Sequence, residues 1–129
     1  MPAMHWIRSH IALAPLPGRF VSVHLLDRDD PGRGEVEAFI ARVYRDRYGA
    51  TLRTFFPHLL AYRDSDGRLA AAVGIRAGGE GPLFVEHYLD APVEQAMAQR
   101  HVARVDRQRV VEVGNFAATS PGIARELIL

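Results

Sequence analysis

The last third of the chain combines a strand pattern, a turn and the start of a helix. Residues 110–113 read Val-Val-Glu-Val, a β-branched run typical of a strand, with a single carboxylate at Glu112. A Thr-Ser-Pro-Gly cluster at residues 119–122 then opens an apolar, helix-forming segment. Its threonine or serine can cap a helix, and proline is favoured at the first helical position. We therefore predict a strand over residues 110–118 and a helix over residues 121–129.

Two features of this stretch each have a chemical and a structural interpretation. Backbone N–H groups at a helix N-terminus attract anions, so the 119–122 turn is either a phosphate site or an ordinary connection between strand and helix. Glu112 in its apolar strand is either a general base at a cleft or a strand-face carboxylate paired with an arginine. The residues themselves leave both pairs of alternatives open.

Composition removes several kinds of chemistry. The chain has 129 residues and a formal net charge of +1, and all 16 of its Lys and Arg residues are arginine. Schiff-base and phosphate-binding lysines are thus excluded, and the absence of cysteine excludes thiolate nucleophiles, disulfides and cysteine metal sites. The arginines are spread along the chain, so we expect no nucleic-acid partner. The scattered histidines form no metal-binding spacing, so we also expect no metal.

The N-terminal residues 1–17 are predicted to be an extension of one globular domain, residues 18–129. The apolar run at residues 11–16 is interrupted by Pro15 and followed by Pro17, which makes it too short for a transmembrane segment and weak as a secretory signal. We therefore expect a cytoplasmic protein with no transmembrane segment.

The remaining pattern alternates between strand and helix signals. An amphipathic helix is expected from Glu35 to Gly49, and a hairpin is expected around Asp66-Gly67. The predicted strands are residues 20–26, 58–62, 69–75 and 83–88, and a short helix is predicted from residue 92 to about residue 101. This order predicts an α+β fold. In a strand over residues 83–88, Glu86 and His87 would point to opposite faces.

Two segments resemble a known family. Residues 84–94, Phe-Val-Glu-His-Tyr-Leu-Asp-Ala-Pro-Val-Glu, and residues 111–117, Val-Glu-Val-Gly-Asn-Phe-Ala, resemble the bacterial thermostable hemolysin family. The Tyr48-Gly49-Ala50 end of the first helix and the turn at residues 66–69 also agree with it. The resemblance extends from the first strand onward.

That family is in turn similar in pattern to GNAT-like acyltransferases, especially the branch of autoinducer (acyl-homoserine-lactone) synthases. The resemblance implies a mixed, mostly antiparallel sheet flanked by helices, with the closing C-terminal elements of the fold missing. It implies transfer of an acyl group from acyl-CoA or an acyl carrier protein thioester to a small amine, with Glu112 as the base. The strand over residues 110–118 would splay from its neighbour, so we expect a bulge near Gly114 and Asn115.

The resemblance also nominates site residues. Two further catalytic candidates come from the residues themselves: Tyr88, which either packs against its neighbours or protonates a leaving thiolate through its hydroxyl, and Glu86. The residues implied to bind the cofactor are Ala118, Thr119, Ser120, Gly122 and Ala124. The apolar C-terminal helix is expected to be covered by the N-terminal segment or by a second chain, such as a homodimer partner. The alternative functions are a hemolysin-type membrane-active or lipid-associated protein, or an inactive fragment of the acyltransferase fold.

Overall fold

The part of the chain that the structure describes contains a four-stranded antiparallel sheet and two α-helices. The computed structural model describes residues 20–100, 104–120 and 122–123. The strands are β1 (Ser22–Leu26), β2 (His58–Arg63), β3 (Leu69–Ala77) and β4 (Val111–Ala118), and the helices are α1 (Arg33–Tyr48) and α2 (Val93–Arg100). Three short 3-10 helices cover Gly78–Glu80, Phe84–Tyr88 and Arg107–Arg109. The strand order is β1-β2-β3-β4, so the predicted α+β class is confirmed.

Helix α1 covers one face of the sheet. Val36, Phe39 and Ile40 recur at helical spacing and are all at most 3% exposed, because they pack in one core cluster with Leu59 and other sheet residues. The helix ends as predicted at Gly49, which adopts a left-handed conformation with φ of 62°. The amphipathic pattern therefore specified both the helix and the face that it buries.

The predicted hairpin joins β2 to β3. The Asp64 side chain accepts hydrogen bonds from the backbone N–H groups of Asp66 and Arg68, and Gly67 has a φ of 76°. An aspartate that binds the backbone ahead of it and a glycine at positive φ are the two requirements of a tight turn. The residues of the turn itself were therefore sufficient to predict this hairpin.

Strand β4 contains the expected bulge. Ala72 lies opposite Ala117, and Gly74 lies opposite Gly114. One residue on β3, Val73, therefore faces two residues on β4, Asn115 and Phe116. Asn115 has a φ of 47°, and asparagine tolerates this left-handed conformation better than most residues. The prediction of a bulge near Gly114 and Asn115 is confirmed.

The predicted strand over residues 83–88 is wrong, because Phe84–Tyr88 forms a 3-10 helix. The Glu86 carboxylate turns back to accept the N–H of Leu83, and a carboxylate from β4 accepts the next two N–H groups. These hydrogen bonds hold the segment in a helical turn, which a short apolar run alone does not distinguish from a strand. Glu86 and His87 therefore do not alternate across a sheet.

The second face of the sheet is partly covered by the start of the C-terminal segment. Ile123 is 5% exposed and packs with Phe20, Ala70, Ala71 and Ala118. The predicted N-terminal extension and the rest of the predicted C-terminal helix lie outside the described residues, as do His101 and Pro121. Their cover by another segment or chain stays a prediction.

Candidate functional site

One end of the sheet gathers most of the buried and partly buried charged side chains. We call it the upper end: the last residue of β1, the first of β2, the last of β3 and the first of β4 lie there. Helix α1 also begins at this end, because Arg33 donates to the carbonyl oxygens of Phe56 and Pro57 just before β2. The loops that follow β3 and precede β4 meet here too, through the backbone hydrogen bond from Gly78 to Val110.

Glu112 lies on β4 at the upper end and holds the 3-10 helix Phe84–Tyr88. Its two carboxylate oxygens accept the backbone N–H groups of Phe84 and Val85, each at 2.8 Å. Its cross-strand partner Arg76 approaches to 3.6 Å, and the Glu112 side chain is 13% exposed. The carboxylate thus has the arginine partner of the structural interpretation, and it also neutralises free N–H groups at a helix start.

Glu86 is the acceptor at the centre of a second network. Its oxygens accept hydrogen bonds from the Arg107 guanidinium at 2.6 and 2.8 Å, and from the backbone N–H groups of Leu83 and Val93 at 2.8 Å. These hydrogen bonds hold the pKa of Glu86 well below its usual range. The largest contribution comes from Arg107, and the two backbone N–H groups contribute less. Glu86 is therefore a fixed anion at neutral pH, which suits it to bracing the loop more than to exchanging protons.

Arg107 uses its whole guanidinium in this network. Nε donates to the carbonyl of Gly78 and Nη2 donates to the carbonyl of Gly81, both at 2.7 Å, while the ion pairs reach Glu86 and Glu94. These contacts match the five N–H donors of the group, and they raise the pKa of Arg107 above its usual value, chiefly through the hydrogen bonds to Glu86. Arg107 thus organises the whole loop from β3 to α2.

Tyr88 lies on the exposed side of the short helix. It is 77% exposed, and its ring contacts Phe84 edge-on at 5.8 Å between centroids. Phe84 and Val85, whose N–H groups bind Glu112, are also exposed, at 55% and 39%. The structure therefore places Tyr88 in an open apolar surface that adjoins Glu112, which we call the apolar surface (Phe84, Val85 and Tyr88).

The bulge in β4 is built around Phe56. The Phe56 N–H donates to Oδ1 of Asn115 at 2.8 Å, and its ring lies over the cross-strand pair Gly74 and Gly114. A methyl group on Gly114 would overlap that ring, and one on Gly74 would lie 2.9 Å from Cβ of Phe56. Both glycines are needed for this close approach.

The residues implied to bind a cofactor lie at the opposite end of β4. Ala118 is buried and pairs with Ala71, and the N–H of Thr119 donates to the carbonyl of Ala70. The Ser120 hydroxyl accepts the N–H of Ile123 at 3.4 Å, as a capping residue would, and a Cβ on Gly122 would meet only Ser120 within 4 Å. Among the described residues of this turn, the amides left for an anion are those of Ser120 and Gly122, and Ala124 lies outside the described residues.

The sequence interpretation missed His58. This histidine is 5% exposed, and each ring nitrogen faces a carboxylate: Nδ1 lies 2.8 Å from Asp27 and Nε2 lies 2.9 Å from Glu80. The ring donates to both carboxylates only when it is protonated. The signal in the sequence is a histidine that opens the buried run His58-Leu59-Leu60-Ala61, because a buried polar side chain requires partners. Nothing local identifies those partners, which come from the ends of β1 and β3.

In residues 20–100, 104–120 and 122–123, no three His, Asp or Glu side chains are grouped closely enough to hold a metal ion. Within the same ranges, no helix has the length and apolar character needed to cross a membrane.

Comparison with known proteins identifies the family. No curated protein and no solved structure matches the chain. The family model described as thermostable hemolysin matches residues 26–129. The match includes helices α1 and α2 and strands β2, β3 and β4, and therefore every candidate site residue discussed above. The chain belongs to the thermostable hemolysin family.

Proposed function

We propose that this chain transfers an acyl group from an acyl thioester to a small amine. The observation that carries the proposal is the bulge in β4 at Asn115 and Phe116. β4 is the last strand in the sheet, and among the described residues no strand pairs with its outer edge. An edge strand offers unpaired N–H and C=O groups along which an extended ligand can lie, and a bulge turns part of that edge away from the regular ladder.

The thioester, as acyl-CoA or an acyl carrier protein conjugate, runs along β4 in this proposal. Its phosphate lies at the amides of Ser120 and Gly122, and its carbonyl lies nearer the upper end. Glu112 and Ser120 stand near the two ends of β4, about 25 Å apart at the usual strand rise. Only an extended molecule can reach both, so the distance favours a carrier with a long flexible arm.

Glu112 is the general base that removes the proton of the attacking amine. Both of its oxygens hold backbone N–H groups, but a carboxylate has about four lone-pair positions, so capacity to accept a proton remains. Tyr88 is the candidate proton donor for the leaving thiolate, since it lies on the helix that Glu112 holds. Glu86 supports that helix as a fixed anion.

The apolar surface is the candidate contact for the acyl chain. Phe84, Val85 and Tyr88 are all exposed, and Glu112 accepts hydrogen bonds from the N–H groups of the first two. Exposed apolar surface next to polar groups commonly marks a binding region. The same surface would serve a lipid-associated protein, so the experiment must separate the two functions.

The test is the variant Glu112→Gln in a turnover assay with acyl-CoA and a panel of small amines. We expect turnover to fall about a hundredfold or more, the usual contribution of one general base, while acyl-CoA binding stays nearly unchanged. The matched control is Glu35→Gln, which removes an exposed carboxylate paired with Arg63. Melting temperatures of both variants show whether the fold is kept.

Three outcomes would count against the proposal. Full activity of Glu112→Gln would remove Glu112 as the base. Binding to liposomes without binding to any thioester would favour the membrane-active or lipid-associated function. Binding to neither would favour an inactive fragment of the fold.

A further inference from the structure

A cleft beside the start of α1 concentrates positive charge. It has a volume of about 560 Å³ and is lined by residues from the turn after β1, the first turns of α1, the loop before β2, and β3: Arg28, Arg33, Glu37, Arg53, Thr54, Phe55 and Arg76. Four arginines and one glutamate give the lining a formal charge of +3, whereas the whole chain carries +1. We call it the arginine cleft.

Two of its arginines are fixed by the fold. Arg33 is 5% exposed and donates to Glu37, to the Phe56 carbonyl and to the Pro57 carbonyl at 2.6 to 2.7 Å. This leaves two of its five N–H groups without a partner among the described residues. Arg76 lies over the Phe56 ring at 4.5 Å and approaches Glu112, so its guanidinium is already positioned.

The other two arginines have no partner within the described part of the chain. Arg28 and Arg53 are exposed and make no hydrogen bond, ion pair or ring contact with any described residue. Like charges placed together repel one another, so a lining with four arginines and one glutamate favours a bound anion. Glu37 does not supply that anion, because it is paired with Arg33.

We infer that the arginine cleft binds a small molecule that carries a phosphate or pyrophosphate group. Guanidinium groups bind phosphate oxygens through paired N–H donors, and a cleft lined by four arginines suits a group with more than one negative charge. A cavity of about 560 Å³ accommodates such a group with a small organic substituent. Phe55, half-buried in the lining, is available to contact that substituent.

This site is separate from the phosphate position in the proposed acyl transfer. The arginine cleft lies at the upper end of the sheet on the face that α1 covers, whereas Ser120 and Gly122 follow the far end of β4. The inference therefore stands whether or not the chain is an acyltransferase.

The experiment is calorimetric titration of the full chain at low salt with inorganic pyrophosphate, inorganic phosphate and citrate. We expect pyrophosphate to bind more tightly than phosphate, and citrate to bind least because its carboxylates are further apart. Arg28→Ala and Arg53→Ala should each weaken pyrophosphate binding about tenfold or more, the usual loss for a charged hydrogen bond. Affinity should also fall as salt is raised.

Two control variants locate the binding. Arg47→Ala removes an exposed arginine at the other end of α1 and should leave the affinity unchanged. Ser120→Ala changes the residue at which the acyl-transfer proposal places the phosphate, so it shows whether pyrophosphate binds there instead of in the arginine cleft. If Ser120→Ala abolishes binding and Arg53→Ala does not, the anion site belongs to the acyl-transfer proposal and the inference fails.

Other results would contradict the proposed class of ligand. Equal affinity for citrate and pyrophosphate would show a general anion site with no preference for phosphate. Binding to vesicles that contain an anionic phospholipid, with none to pyrophosphate, would assign the arginines to a lipid surface. If no anion binds at millimolar concentration, the arginine cleft is not an anion-binding site.

Discussion

Arg107 and two arginines of the arginine cleft, Arg28 and Arg53, occupy the same end of the molecule in opposite settings. Every donor of Arg107 has an acceptor, and its partners are two carboxylates and two backbone carbonyls. Arg28 and Arg53 have no such partners within the described residues. An arginine whose donors are all occupied organises a loop, whereas arginines that the fold brings together without acceptors are available to a ligand.

The largest effect that would test this comparison is expected from Arg107→Met. The substitution keeps an unbranched apolar stem but leaves the Gly78 and Gly81 carbonyls, together with Glu86, without their donor. We expect the free energy of unfolding to fall by about 2 kcal/mol or more, because unsatisfied polar groups are costly in a folded chain. Urea unfolding measures it.

The matched control is Arg109→Met, which removes an exposed arginine from the same 3-10 helix. It should change the free energy of unfolding by less than about 0.5 kcal/mol. Equal effects of the two substitutions would mean that the Arg107 network contributes nothing particular to stability.

The separation along the sequence between interacting residues determined which parts of the structure could be predicted. The α1 helix and the hairpin depend on residue types within a few positions, such as Gly49, Asp64 and Gly67. The 3-10 helix Phe84–Tyr88 was missed because the carboxylate that holds it, Glu112, is 27 and 28 residues away in the chain. The sequence pattern of residues 84–88 alone does not indicate so distant a partner.

The candidate site divides in the same way. Glu112 was predicted as a candidate from its position in an apolar strand and from the family resemblance, and its catalytic role stays a prediction. His58 was missed because Asp27 and Glu80 are 31 and 22 residues away and meet it only when β1, β2 and β3 pair. The arginine cleft was missed for the same reason, since its arginines come from four separate segments and looked evenly spread in the sequence.

A smaller effect is expected from acid, and it depends on Glu86. Its pKa in the folded chain lies well below the ordinary value of 4.5, so the folded state binds this proton less readily than the unfolded state. The stabilisation is therefore fully present above about pH 4.5 and is lost progressively as the pH falls below it.

Unfolding of the parent and of Glu86→Gln between pH 7 and pH 3 measures this dependence. The parent should be more stable at neutral pH, and the difference should narrow as the pH falls. Glu35→Gln, which removes an exposed carboxylate, is the control and should follow the parent closely. A gap between parent and Glu86→Gln that stays constant with pH would show that Glu86 acts by packing and not by charge.

The smallest effect on stability is expected in the arginine cleft itself, from Arg28→Ala and Arg53→Ala. Both side chains are exposed and unpaired within the described residues, so each substitution should change the free energy of unfolding by less than about 0.5 kcal/mol. Removal of both should leave stability unchanged or raise it slightly, because repulsion with Arg76 is relieved, and the gain should shrink as salt screens the charges. Urea unfolding at low and high salt measures this. A clear loss of stability would show that Arg28 and Arg53 stabilise the fold as Arg107 does, and the proposed difference between these residues would then be wrong.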